Sequence, residues 1–296
     1  MTAVEDKLGK GLQAPSRLGR RWPALEGWSR LSLAGLGLTG AFALIAVVGP
    51  LLMTHDPMAY SYALNETPSA SHWLGTDDTG QDVYSRLLLG ARLSLGVGAA
   101  AAFLALLIGA GLALVALALG RWAEFVVFAL VDLVRALPWV LFALALIVAL
   151  EPGATSVVIA LSAGFSPYFA RITKATYELE MAKPYTQAAK VLGAGPTRVA
   201  LRHVAPNIAG ALLTQFTIIL PRCIVSEAVL SFLGLGVSPE VPTWGRMIAS
   251  AVPHVEEAPH TVLFPIVVLS LLTFGLAIVG DALRGRFDPG RRRIAA

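Results

Sequence analysis

The chain alternates long uncharged apolar runs with shorter polar stretches, and most of the runs share one length class. About 20 apolar residues wound as a helix cross the hydrocarbon core of a bilayer. Residues 31–53 form the first such run and residues 93–120 a second, longer one. Residues 125–150 form a third, interrupted by Asp132 and Arg135, and residues 154–170 a fourth that is short and marginal. Residues 208–236 carry Pro221, Arg222 and Glu227, and residues 261–280 form the last run. The pattern predicts an all-α polytopic membrane protein of about six transmembrane helices over residues 31–283, with both termini on one side.

Polar stretches supply the rest of the organisation. Residues 54–92 are rich in turn formers and aromatics, and residues 237–260 hold Pro239, Pro242, Trp244 and Pro253. Both read as outer-face segments, the second re-entrant or interfacial. Between runs four and five, residues 172–207 show helical spacing around Tyr185–Leu192, a break at Gly193, Gly195 and Pro196, and a second short helical pattern from Thr197 to Val204. The first apolar run begins late and is long for a cleaved signal peptide, so a retained helix is expected.

Composition agrees with this plan. Hydrophobic residues make up 56% of the 296 and charged residues 14%, with a mean hydropathy of +0.69, too little charge to cover a soluble surface. The net charge of +4 and pI near 9.4 admit nucleic acid as a partner, but the placement of the charges speaks for lipid instead. With the N-terminus inside, residues 1–30, Arg121, residues 171–202 and residues 284–296 carry 18 of the 23 basic residues on the cytoplasmic side. That bias is what the positive-inside rule expects, and both terminal segments, 1–30 and 284–296, read as cytoplasmic tails. One cysteine, Cys223, excludes an intrachain disulfide. The five histidines show no spacing that suggests a metal site, and no catalytic cluster or cofactor motif is present.

Charges inside the apolar runs are costly unless they face protein or water. Asp132 and Arg135, three apart, share a helix face and form a candidate structural ion pair close to the cytoplasmic end of their run. Arg222 and Glu227, five apart, point about 140° from one another at 100° per residue and need different partners. Two roles stand open for them: packing against neighbouring helices, or lining a translocation path. Gly96, Gly98, Gly109 and Gly111 read as close-packing positions. No G-x-x-x-x-G-K-[ST] loop occurs, so any ATP must bind to another subunit.

The segment YTQAAKVLGAGPTRVALRHVAPN, residues 185–207, is the most informative. Ala188 and Ala189 present a flat face, Gly193 permits a tight turn, and Pro206 closes the segment before the next helix. Physically it is either an ordinary amphipathic loop helix or a surface helix that carries force from a partner. It resembles the EAA loop of bacterial ABC importer permeases, with Gln187 at the Glu position, then Ala188, Ala189 and Gly193, and after nine more residues His203 through Pro206. Gln187 lacks the family's carboxylate and Ala205 replaces its Leu.

WLGTDDTGQDVYSRLLLGARLSL (73–95), EAVLSFLGLGVSPEVPTWGRMI (227–248) and GDALRGRFDP (280–289) are similar to further segments of the dipeptide, oligopeptide and nickel branch of that family. Together they cover most of the chain from Trp73 onward in the family's order; residues 1–30 carry no match and are expected to be disordered. The resemblance implies the type I ABC importer fold in a bacterial plasma membrane. It also implies a second permease subunit, two ATPase subunits that hold ATP and Mg, and an extracytoplasmic substrate-binding protein. Tyr185, Gln187, Ala188, Ala189, Gly193, His203 and Pro206 would couple to the ATPase, and Arg222 and Glu227 are candidates for the path. The expected cargo is a dipeptide or oligopeptide, with glutathione and nickel also handled by the branch. Two rivals are weighed: a secondary transporter or channel without ATP coupling, and a membrane-embedded enzyme, which the helices disfavour by offering four charged residues and no histidine.

Overall fold

The computed structural model describes residues 29–236 and 241–287, and expectations that fall on the remaining residues lie outside it. In chain order the helices are α1 (Arg30–Leu52), α2 (Val83–Leu119), α3 (Arg121–Ala136), α4 (Trp139–Leu150), α5 (Ala154–Met181), α6 (Pro184–Val191), the single turn α7 (Pro196–Arg198), a π-helical stretch (Val199–Val204), α8 (Ala205–Phe232), α9 (Trp244–Ala251) and α10 (Pro259–Phe287). Among the described residues the β pairing is one isolated bridge, Thr76 to Asp82.

Helix ends are set by ordinary caps. Ser29 accepts from Ser32 N–H at the start of α1, and Asp82 accepts from Ser85 N–H at 2.9 Å at the start of α2. Capped at Asp82, α2 begins ten residues earlier than its apolar run, so the stretch from Val83 to Arg92, expected in the outer segment, is its first three turns. At 37 residues the helix is about 55 Å long, well beyond the roughly 30 Å of hydrocarbon. Its buried stripe is small: Ala101, Ala102, Ala105 and Ala113 have no exposed surface. A Cβ at Gly109 would lie 2.1 Å from the Ser166 carbonyl and one at Gly98 2.5 Å from Ile224, so these two let α5 and α8 approach closely. Gly96 and Gly111 face open space and do not share that role.

The third apolar run is not one rod. It breaks after Ala136, and α3 and α4 meet at 101°. Pro138 has no N–H to give, and it pushes Leu137 into the extended region (ψ 140°). The fourth run, marginal by sequence, lies in α5, which continues through Arg171 and Lys174 to Met181. Among the described residues, four helical stretches can cross a membrane by length and apolarity (α1, α2, residues 196–232 and α10), and five if the α3–α4 pair is one broken span. The remaining predicted crossing, the fourth in chain order, lies in α5, which is long enough at about 42 Å but is less apolar than these. It lies between α2 and α8 with α3 and α4 against it. A helix that meets protein on most sides can keep Ser156, Ser162 and Thr173, whose hydroxyls donate to backbone carbonyls.

The main core forms where α2, α4, α5 and α8 meet, around Ala105, Ile147, Leu161, Phe169, Ile219 and Cys223. A second core joins α1, α2, α9 and α10 through Phe42, Leu87, Trp244 and Leu272. The short helix α9 is therefore docked, with Trp244 fully buried. Large apolar side chains such as Leu44, Val47, Leu107, Phe125, Val148 and Phe274 stay exposed, as expected where lipid is the solvent.

Candidate functional site

The segment from Lys183 to Asn207 begins with a proline in the first turn of α6, where the missing N–H costs nothing. The helix ends at Gly193 in the left-handed region (φ 83°). There Gly193 N–H donates to Lys190 O at 2.9 Å and Ala194 N–H to Ala189 O at 3.0 Å. This is a Schellman end, which favours glycine because a Cβ strains that backbone. The same closure ends α8 at Gly234 (φ 81°), where Gly234 N–H donates to Ser231 O and Leu235 N–H to Leu230 O.

Side chains hold the base of α6 to the end of α5. Tyr185 donates its hydroxyl to Glu180, Lys183 pairs with Glu180 at 2.5 Å, and the buried Thr186 donates among the Glu180 and Lys183 carbonyls. Burial and the Glu180 carboxylate push the Tyr185 phenol up to about 12, so it remains a donor at neutral pH. The Gln187 amide folds back to donate to Met181 O at 2.6 Å. The position that carries a carboxylate in the resembled motif here ties α6 to α5.

On the other side of the turn, Val199, Ala200 and Val204 are buried with Tyr177 and Ile208 against Leu114 and Leu117 of α2. The backbone widens to π there, with Ala205 N–H reaching Ala200 O. Pro206 follows directly, inside the first turn of α8. Pro206 thus does not close the segment: residues 196–232 run on as one helical stretch, and the wider turn precedes the residue that cannot donate. His203 is half-buried with its ring 6.4 Å from that of Tyr185. The outer rim of the segment is bare: Val191 and Leu192 are 88% and 87% exposed, with Ala188 and Leu201 also exposed.

A cavity of about 400 Å³ opens between α4, α5 and α8, lined by Trp139, Phe165, Tyr168, Pro221, Arg222 and Ser226 among others. Arg222 is exposed on it. Glu227, by contrast, is 1% exposed and accepts from Ser231 at 2.7 Å, with its second oxygen buried and without a hydrogen bond. The angular separation expected from their spacing thus appears as two different surroundings. Trp139 and Tyr168 carry no sequence signal, because neutral aromatics in an apolar run look like any core residue.

Asp132 and Arg135 do not pair. Asp132 meets Arg171 of α5, and Arg135 lies over the Tyr168 ring at 5.8 Å to its centroid. Side by side with this pair, Lys174 reaches Glu124 at 2.5 Å and covers Phe128. The extension of α5 beyond Ala170 supplies both cations. Sequence placed Arg171 and Lys174 in a loop, and α3 found its partners on the neighbouring helix instead.

Comparison with known proteins agrees with this architecture. Residues 105–293 match the family described as binding-protein-dependent transport system inner membrane component. The chain is 36% identical over 276 residues to the glutathione transport system permease protein GsiD of Salmonella paratyphi A (strain ATCC 9150 / SARB42), covering 91% of each chain. It is 35% identical over 263 residues to the dipeptide transport system permease protein DppC of Alkalihalophilus pseudofirmus, covering 88% of this chain and 86% of that one. Its fold resembles a chain of the MetNI methionine ABC transporter in inward-facing conformations, with a TM-score of 0.57 at 18% identity over 69% of this chain and 96% of that chain. Matched over most of its length and built on the type I permease fold, the chain belongs to the family of binding-protein-dependent transport system inner membrane components.

Proposed function

We propose that this chain is one transmembrane half of an ATP-driven importer of short peptides in the bacterial plasma membrane, with both termini cytoplasmic. The observation that carries the reading is α6. A short helix is anchored at its base by Tyr185, Thr186 and Gln187, closed by Gly193, and bare along Ala188, Val191 and Leu192. An unpartnered apolar rim on a firmly held helix suits a groove on an ATPase subunit, and the helix can pass force to α5, to which it is tied, and to the π stretch that leads into α8, where Tyr185 meets His203. ATP and Mg belong to those partner subunits. A second permease subunit would close the cavity from the opposite side, and an extracytoplasmic binding protein would deliver cargo. The named substrates of the relatives, dipeptides and glutathione, end in carboxylates. Arg222 on the cavity wall is a suitable cation to meet one during alternating access. Glu227 is the second path candidate, placed behind that wall.

The test is reconstitution of the chain with its partner permease, ATPase and binding protein. Labelled dipeptide and glutathione are expected to enter vesicles at the expense of ATP. An Ala188→Cys variant is expected to crosslink to a cysteine in the ATPase groove, with the native Cys223 silent because it is buried. Uptake that follows a proton gradient and ignores ATP would overturn the proposal.

A further inference from the structure

The outer segment gathers three side chains that sequence spacing keeps apart. His55 follows α1, His72 lies in the loop, and Asp82 caps α2, yet their potential ligand atoms all fall within 4.8 Å of one another. His72 Nδ1 is 2.9 Å and His55 Nδ1 3.8 Å from the same oxygen, Asp82 Oδ1. The two rings lie with centroids 4.5 Å apart and tilted by 32°. His55 is too far for a hydrogen bond to that oxygen, and its Nδ1 instead meets the Thr54 hydroxyl at 3.1 Å, a contact that an ion would replace.

We infer that His55, His72 and Asp82 form a binding site for a borderline divalent metal ion of the zinc type on the outer face. Three ligands around a tetrahedral ion at metal–ligand distances of about 2.0–2.1 Å sit roughly 3.3 Å apart. The observed 2.9 and 3.8 Å bracket that spacing. Two imidazoles and one carboxylate are a donor set such ions accept. The supporting contacts are also in place. Asp82 Oδ2 accepts from Ser85 N–H at 2.9 Å, which fixes the carboxylate and leaves Oδ1 toward the histidines. His55 N–H donates to the Ser85 hydroxyl at 3.2 Å, which fixes the backbone of the first ligand. Bonds of this kind orient ligands in metal sites. Side-chain exposure falls from 42% at His55 through 16% at His72 to 2% at Asp82, so an ion and a fourth ligand from water can enter past His55. A bound ion would staple the exit of α1, the loop and the start of α2 together. It is a fixed site in the outer segment, separate from the cavity at Arg222.

The experiment titrates the purified full-length chain with Zn(II) alone, and with Co(II) as a spectroscopic probe. One ion per chain is expected, with Co(II) showing the intense visible absorption of a tetrahedral site. His55→Ala is expected to weaken binding by at least about tenfold, and His55→Ala/His72→Ala to abolish it. His254→Ala, whose ring faces Asp78 at 3.7 Å, is expected to bind as the unaltered chain does. His55 is half-exposed and its variant should fold, so it decides the matter even if loss of His72 lowers the yield. Equal affinity in the unaltered chain and His55→Ala, or no ion bound above the level of the double variant, would overturn the site.

Discussion

The indole N–H of Trp244 donates to the carbonyl of Leu87 at 3.1 Å, which joins α9 to the N-terminal end of α2 across 157 positions of chain. Gly90, one turn further along α2, makes room for the ring: a Cβ there would lie 2.9 Å from Trp244 Cδ1. Phe42 of α1 meets the same ring edge-on at 6.2 Å. Two of the segments by which the chain resembles its family therefore lock into one another, and their residues are explained by packing rather than by chemistry on a substrate. Trp244→Ala should cost about 3–5 kcal/mol of stability. Trp244→Phe should cost less, because the ring remains while the indole donor is lost. Thermal unfolding of the purified chain should rank the variants unaltered, Phe, Ala.

The pairing of Asp132 with Arg171, in place of Arg135, is testable by a double-mutant cycle. Both partners are well exposed, with side chains 52% and 41% accessible, so the coupling should be no more than about 1 kcal/mol. Asp132→Ala combined with Arg171→Ala should show that small coupling in thermal unfolding. The cycle of Asp132→Ala with Arg135→Ala should show none. Coupling confined to the second cycle would restore the pair expected from spacing.

The order of apolar runs was legible because a bilayer demands length and apolarity, and both are written residue by residue. What stayed hidden depends on neighbours. The marginal fourth run proved to be the start of the 28-residue α5, whose polar residues are satisfied by its own backbone and by α3. Periodicity within one helix could not show that Asp132 has a better cation on another. The turn at Gly193 was readable, since a glycine after a helical run usually marks a left-handed end. Pro206 misled because a proline reads as a stop, whereas the π turn before it lets the helix continue. Histidines at 55 and 72 gave no metal signal because only the folded loop brings them to Asp82.

The topology proposed above, with both termini inside, would put 18 of the 23 basic residues on the cytoplasmic side. A reporter active only outside the membrane should be silent when fused after Arg291 and active when inserted near Asn65. Asn65 lies with His55 and His72 between α1 and α2, so activity there would also place the proposed ion site outside. Activity at Arg291 with silence near Asn65 would reverse the orientation.

The proposed coupling to an ATPase rests on the shape of α6, which ends in the left-handed turn at Gly193. Nothing lies within 4 Å of a Cβ built there, so a substitution meets no clash and its cost is the left-handed backbone alone. Valine adopts that conformation poorly, whereas asparagine tolerates it. Gly193→Val should therefore displace Gln187–Val191 while α1 to α5 and α8 to α10 remain assembled. Peptide uptake and substrate-stimulated ATP hydrolysis should fall together, with near-normal expression, and Gly193→Asn should retain both. The pair separates geometry from bulk, since both residues fill the same empty space. If Gly193→Val transports as well as Gly193→Asn, the left-handed turn is not what positions α6, and the segment acts only as a linker.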